Sequence, residues 1–537
     1  MMNDSGQPPM AATGANSRRS ILKSTIVTSA LTVLSRIFGL LREQVRGFYL
    51  GTGMESDAFG IASTIPNMLR RLFAEGAMTA AFVPVFTGMA ISEERKRLSD
   101  FFSGFMSLFI LLMLFVTALG VLFSAPLIGS VFAGRFDEVP GKVGLTIGLT
   151  QVMFPYLFLV SVAAILQATL NSLRIFGPSA FTPVLLSITN IGFVIGFVNW
   201  FDNAAWALAV GFLLGGTFQM AFQIPFLRKR GIRFRFTLSG LHDPAVWQVA
   251  RIFLPGIFSA GIYQINVTIA QVIATSLDPG SVASLQYSLR MQELVLGVFA
   301  VSIATVILPA MSEHVHKKDF LALKDTLRFS VGLLAFVTIP ASIGLMLLAT
   351  PIVRMLFEYG RFDAHSTEMT VIALYFHAAG VFFIALNRNV VQVFYAMGNL
   401  KTPTWIAAIV MVVHIGLCYW LVGPFAHGGI AAAGSISAAL NVAILYAALK
   451  RRIGRLGTRQ VMGSLLRTLG ATTAMSGVLV AAATSGFLED CRGLDLALRL
   501  IPTILVAGCI FMLAAHLLRA QELTEFLHIL RRRVAKR

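Results

Sequence analysis

The sequence predicts an all-α, polytopic membrane protein of 14 transmembrane helices, two six-helix lobes around a central cavity plus two extra C-terminal helices. Three observations predict it. The mean hydropathy is +0.77 and only 13% of residues are charged, against about 25% in soluble domains. Apolar stretches of about 20 residues, the length that crosses a bilayer, recur along nearly the whole chain. The loops between them alternate in charge, basic on one side and short, mixed or acidic on the other.

Residues 1–20, rich in Ser, Gly, Asn and Pro, are expected to form a disordered tail. The first apolar stretch is long and lacks a small-residue cleavage site, so it reads as an uncleaved span. Spans are expected near 24–49, 57–90, 100–123, 145–173, 178–200, 205–227, 246–276, 281–311, 326–349, 367–397, 403–422, 429–449, 463–486 and 496–518. The basic clusters RKR at 95–97, LRKRGIRFR at 227–235, HKK at 316–318 and KRRIGR at 450–455 fall on one side, with Arg174 and Lys401. The opposite loops are RFDEVPGK, WFDN, LDPG, YGRFDAHSTE and LEDCRGLD. Positive charge stays inside, so both termini are expected to be cytoplasmic. The tail stretch LTEFLHILRRR is amphipathic and basic, which suits either a helix lying on the inner leaflet or a solvated helix end. The net charge of +18 is spread over short clusters between apolar runs, the pattern of membrane topology and not of nucleic-acid binding. The three cysteines have neither a disulfide framework nor metal spacing.

Sliding the chain by 225 residues lays APLIGSVFAGRFD over TPIVRMLFEYGRFD. Pro84 then meets Pro309, Pro126 meets Pro351 and Pro178 meets Pro403. The repeat divides the chain into an N-lobe at 21–235, a C-lobe at 236–455, and an addition at 456–537 holding two more spans and the basic tail. Six spans per unit make the copies parallel, related by an axis along the membrane normal, as in transporters that rock about a fixed site.

The repeat shares its prolines but not its charges. Arg42, Asp57, Arg70, Arg71 and Glu75 fall opposite Val267, Val282, Val295, Leu296 and Ala300. A charge at mid-membrane costs at least about 2.5–3.5 kcal/mol, so these groups are expected to line water or bind something. On the first span, Arg42 and Arg46 lie about 40° apart and Arg36 and Glu43 about 20° apart. An Arg36–Glu43 pair fits a structural role as well as a functional one. On the second span, Pro66 bends the helix ahead of Arg70 and Arg71, and Glu75 is in reach of one of them. Arg290 and Glu293 are three apart on one face of the eighth span, a spacing that suits an intrahelical ion pair. Arginines outnumber acids in this set. Such a surplus suits an anion, and several planar guanidinium forks suit a diphosphate.

SRIFGLLRE at 35–43, SDAFGIASTIPNMLRRLFAEGAMTAAFVPVF at 56–86 and YSLRMQELVLGVFAVSIATVILPAMS at 287–312 resemble the MurJ (MviN) family of lipid II flippases, in the superfamily that includes multidrug and polysaccharide exporters. The resemblance implies a transporter that moves lipid II, the undecaprenyl-diphosphate-linked peptidoglycan precursor, from the inner to the outer leaflet of the bacterial cytoplasmic membrane. It implies substrate contacts at Arg36, Arg42, Arg70 and Arg290, a gating or charge network at Asp57 and Glu75, and a groove for the lipid tail between spans 13 and 14. Arg71 and Glu293 join that network as neighbours of Arg70 and Arg290. Leu289 stands where relatives carry an Asp beside the span-8 arginine, and 246–276 and 403–449 contain no Asp or Glu. A sodium site is therefore not assigned. No metal and no cofactor is expected, and the coupling ion stays open. The expected partners are lipid II and membrane lipids, and the expected state is a monomer. A flippase for undecaprenyl-diphosphate-linked polysaccharide, or another exporter of the superfamily, is the nearest alternative. A membrane enzyme would need an acidic metal cluster or a nucleophile–base pair, and none is legible. A channel would favour rings of one residue type over isolated charges. His377 and His414 read as packing residues, as do Asn387 and Asn389.

Overall fold

The computed structural model describes residues 10–73, 77–92, 95–132, 134–297, 301–454, 456–489 and 491–523. Seventeen α-helices follow one another: α1 (Met10–Leu50), α2 (Met54–Phe73), α3 (Ala77–Ser92), α4 (Arg95–Leu122), α5 (Ser124–Leu127), α6 (Lys142–Ser172), α7 (Phe176–Phe197), α8 (Ala204–Arg228), α9 (Pro244–Ala274), α10 (Ser281–Val295), α11 (Val301–His316), α12 (Phe320–Leu347), α13 (Ala349–Phe357), α14 (Ala364–Ala396), α15 (Lys401–Ile453), α16 (Thr458–Thr484) and α17 (Gly493–Leu517). Ten helical segments among the described residues are long and apolar enough to cross a membrane.

Helix α1 begins at Met10, ahead of the first span expected at 24–49; it starts directly after Pro8 and Pro9, and no further proline interrupts it before Leu50. In the spans expected at 57–90 and 281–311, α2 and α3, and α10 and α11, lie on either side of residues outside the described set, and Met54–Ser92 counts as one candidate span. The spans expected at 403–422 and 429–449 run through the 53 residues of α15 as two helices, not one. At 1.5 Å per residue that is about 80 Å, more than twice the hydrocarbon thickness. The backbone resolves the conflict at Ala426, whose φ of 47° and ψ of −133° break the helix. The basic tail at 524–537 and Glu75 lie outside the described residues.

The repeat survives as architecture. Helices α4 and α12 are both 28 residues long and start 225 residues apart. Helix α5 and the π-turn Ile128–Phe132 match α13 at the same offset. Helix α7 starts at Phe176 and α15 at Lys401, while α8 ends at Arg228 and α15 at Ile453. Helix starts repeat their chemistry too: Asn203, Asp319 and Asp363 cap α8, α12 and α14 through side-chain oxygens.

Two compact units interleave along the chain. The first holds Met1–Val45, Ala62–Pro126 and Ile147–Ala260; the second holds Arg46–Ile61, Leu127–Thr146 and Gly261–Arg537. The first unit packs around a phenylalanine ladder in which Phe82, Phe86, Phe101, Phe105 and Phe109 lie 4.9–6.4 Å apart, centroid to centroid. In the second unit one cluster joins α12 and α14 to α15. Another joins α16 and α17 to α12 and α13, with Phe336 against Phe511 at 5.0 Å.

Candidate functional site

The first unit carries Arg36, Arg42, Arg70 and Arg71. Arg42 lies over the Phe212 ring at 5.0 Å from its centroid and donates to Glu43 Oε1 at 3.4 Å. Glu43 is buried, so the arginine both neutralises it and stays partly desolvated. Glu43 thus has Arg42 as one partner on its own helix. A guanidinium held over a ring away from water gains about 2 kcal/mol or more. Arg70 Nε donates to Asn67 Oδ1 at 3.3 Å, one turn back on α2. Arg36 and Arg71 are both part-buried.

The second unit places Asp57 at the start of α10, and Arg290 and Glu293 lie towards its end. Asp57, fully buried on α2, accepts from Lys142 Nζ at 2.8 Å, from the Gly280 backbone N–H at 2.7 Å and from the Ala283 N–H at 2.9 Å. Both side chains are 1% exposed. Asp57 therefore caps α10 from another helix. Its charge meets the positive end of the helix dipole and satisfies two N–H groups that have no intrahelical partner. Lys142 also sits 3.8 Å from the Phe136 ring centroid. Gly280 is required here: its φ is +96°, and a Cβ would lie 2.6 Å from the Thr52 carbonyl oxygen.

Next to this pair, Arg46 is enclosed. It donates to Ser56 O at 3.1 Å and lies between the rings of Phe59 and Tyr287, at 5.2 and 5.0 Å. Tyr287 Oη donates to Gly51 O at 3.2 Å. The loop of the second GRFD sequence closes over the end of α1, with Arg361 N donating to Phe48 O at 2.8 Å and Arg361 paired with Glu55. Further along α10, Arg290 and Glu293 form the expected intrahelical pair at 2.9 Å and are both exposed enough to meet solvent or a ligand. On the helix's other side, Ser288 bonds His377 Nδ1 at 2.9 Å, and Gln292 donates to the His377 carbonyl. His414 Nδ1 meets Ser437 Oγ at 3.3 Å, and Asn389 meets Ser330. These polar groups are spent on helix packing.

Sequence reasoning placed Asp57 in a charge network but missed Lys142, Phe136 and Gly280. Lys142 follows Pro140–Gly141 in a loop that also carries Arg135, and nothing in the sequence ties it to Asp57.

The family model described as Lipid II flippase MurJ matches residues 48–488. The chain belongs to the lipid II flippase MurJ family. Among MurJ relatives, the probable lipid II flippase of Treponema pallidum is 36% identical over 444 residues, covering 81% of this chain and 83% of its own. That of Vibrio cholerae is 35% identical over 86% of this chain and 89% of its own. A solved lipid II flippase MurJ, in an inward closed conformation, superposes with a TM-score of 0.76 at 26% identity, covering 94% of this chain and all of that one. An inward-facing multidrug resistance MATE family transporter of the MOP superfamily shares the fold, with a TM-score of 0.67 at 16% identity. The MurJ match contains Asp57, Arg70, Arg71, Glu75, Arg290 and Glu293; Arg36, Arg42 and Arg46 precede it.

Proposed function

We propose that this chain carries lipid II from the inner to the outer leaflet of the bacterial cytoplasmic membrane by alternating access, as a transporter and not an enzyme. The observation that carries the reading is the match to the flippase family over residues 48–488, joined to an arginine surplus that the repeat does not require. The diphosphate of the lipid headgroup binds Arg36, Arg42, Arg70 and Arg290. Arg71, Glu75 and Glu293 tune that charge, and Asp57 acts as a gating group through its hold on α10. Fourteen spans, counted by dividing α15 at Ala426 and taking α2 with α3 and α10 with α11, put both termini in the cytoplasm. The lipid tail follows a groove along α16 and α17, and the protein works as a monomer. A negative interior favours outward movement of an anion, by about 2.3 kcal/mol per charge per 100 mV.

The test follows labelled lipid II on each leaflet in cells where this chain is the sole flippase. Each of Arg42→Ala, Arg70→Ala and Arg290→Ala is expected to weaken transport about 10- to 100-fold, the worth of one charge-assisted contact, and the triple variant to abolish growth. Normal growth of a correctly inserted triple variant overturns the site. Transport of a diphosphate-linked polysaccharide in place of lipid II overturns the substrate.

A further inference from the structure

The connection from α8 to α9 is not helical for most of its length, yet it lies along a membrane-spanning helix. Three serines one turn apart on α4 hold its backbone. Ser99 and Ser103 donate to Arg233 O at 3.2 and 3.1 Å, and the N–H groups of Arg235 and Thr237 donate to Ser103 and Ser107 at 3.2 and 3.0 Å. Successive serines are about 6 Å apart along a helix, and two residues of extended chain cover about 6.6 Å. The segment 233–237 therefore runs extended beside α4 for about 12 Å. It turns through Ser239–His242, where Gly240 packs so closely on Gly104 that a Cβ on either would lie within 3.0 Å of the other's backbone. It then returns to Asp243, which takes two hydrogen bonds from Arg97 near the start of α4, at 2.7 and 2.9 Å. The segment is a hook laid along the N-terminal part of α4, and side-chain hydroxyls take up hydrogen bonds that its extended backbone would otherwise give to water.

Extended backbone alternates its side chains. Phe234, Phe236 and Leu238 fall on one side and Arg233, Arg235 and Thr237 on the other. The three apolar residues are exposed, Phe236 at 61%, as are Leu241 and Trp247 beyond the turn. The Trp247 indole donates to Leu241 O at 2.8 Å, which steadies that end. Arg228, Lys229, Arg230, Arg233 and Arg235 are all exposed, and no acid interrupts them. The cavity of about 550 Å³ beneath the hook carries both signs, with Arg235 and His242 facing Asp100 and the Arg97–Asp243 pair. Selectivity for negative charge therefore belongs to the rim.

We propose that this hook is an anchoring site for anionic phospholipid, with Phe236 and Leu238 among the acyl chains and the five rim cations on lipid phosphates. Basic residues beside apolar ones at a membrane surface are attracted to an anionic leaflet. The site is independent of the arginines assigned to transport.

The full-length chain in detergent, titrated with phosphatidylglycerol or phosphatidylethanolamine and read by native mass spectrometry, tests it. The wild type is expected to retain phosphatidylglycerol in preference. Replacing Arg228, Arg230, Arg233 and Arg235 by Gln is expected to weaken that retention at least about tenfold, and replacing the same four by Lys to preserve it. Glycerol 3-phosphate, which has the charge without the chains, is expected not to displace the lipid. Equal retention of the two lipids by the wild type, unchanged retention by the Gln variant, or displacement by glycerol 3-phosphate overturns the proposal. Should the fourfold variant not fold, Arg233→Gln with Arg235→Gln is read in its place.

Discussion

Lys142 neutralises a carboxylate that has no water to turn to. Removing one partner of a buried ion pair costs about 3–5 kcal/mol, because the other is left charged and desolvated, whereas removing both is often close to neutral. Lys142→Met is therefore expected to lower stability by about that amount, and Lys142→Met combined with Asp57→Asn to recover most of it. An Asn at 57 keeps one acceptor for the start of α10, so its recovery is incomplete by about one capping bond, ~1 kcal/mol. Thermal unfolding followed by a thiol-reactive dye reads this, since the Cys418 and Cys491 thiols stay buried until the chain unfolds, above a constant signal from the exposed Cys509. Asp57 was legible in the sequence because a carboxylate in an apolar span demands a reason. Lys142 was not, because it lies 85 residues away in what reads as a loop, and no helical periodicity links the two. Helical angle places Arg46 beside Arg42, and its ring neighbours, which no spacing on α1 could give, come from α2 and α10.

At the scale of one element, the hook between α8 and α9 is fastened at its far end by a titratable contact. Hydrogen bonds from Arg97, with the Ala245 N–H, hold the Asp243 carboxyl below the usual carboxylate range, against a smaller upward push from burial. A depressed folded value means that the contact contributes fully above the unfolded value, near pH 4, and is lost as pH falls through the folded one. Amide exchange across 233–241, corrected for intrinsic rates, is expected to stay slow down to about pH 4 and to quicken below it. Asp243→Asn is expected to exchange faster at neutral pH and to show no acid step. The basic character of this segment was plain from LRKRGIRFR. Its path was not, since Ser99, Ser103 and Ser107 are unremarkable in a helix until something is seen bonded to them.

Over the whole molecule, hydropathy and loop charge were enough for the class, and one offset was enough for the repeat, because helix lengths are set by the bilayer and proline positions by the backbone. The joint in α15 was legible as well: Gly423–Pro424 and Gly428–Gly429 flank the break at Ala426, between the spans expected at 403–422 and 429–449. The final pair, α16 and α17, lies outside the repeat but shares a core with α12 and α13. Arg354 reaches the Glu489 carbonyl at 2.8 Å and the Cys491 carbonyl at 3.4 Å, in addition to Glu358. A chain ending at Gly454 is expected to insert, since both repeats are complete, but to melt lower and to fail to support growth; membrane-fraction yield, dye-monitored melting and complementation measure the three. The matched lengths of α4 and α12 carry a last implication. Two copies of one frame have diverged into a half rich in buried charge and a half almost without it, and the scaffold's residue count did not change. The halves thus differ more in the charges they carry than in the lengths of their matched helices, which leaves each a ready template for interpreting substitutions in the other.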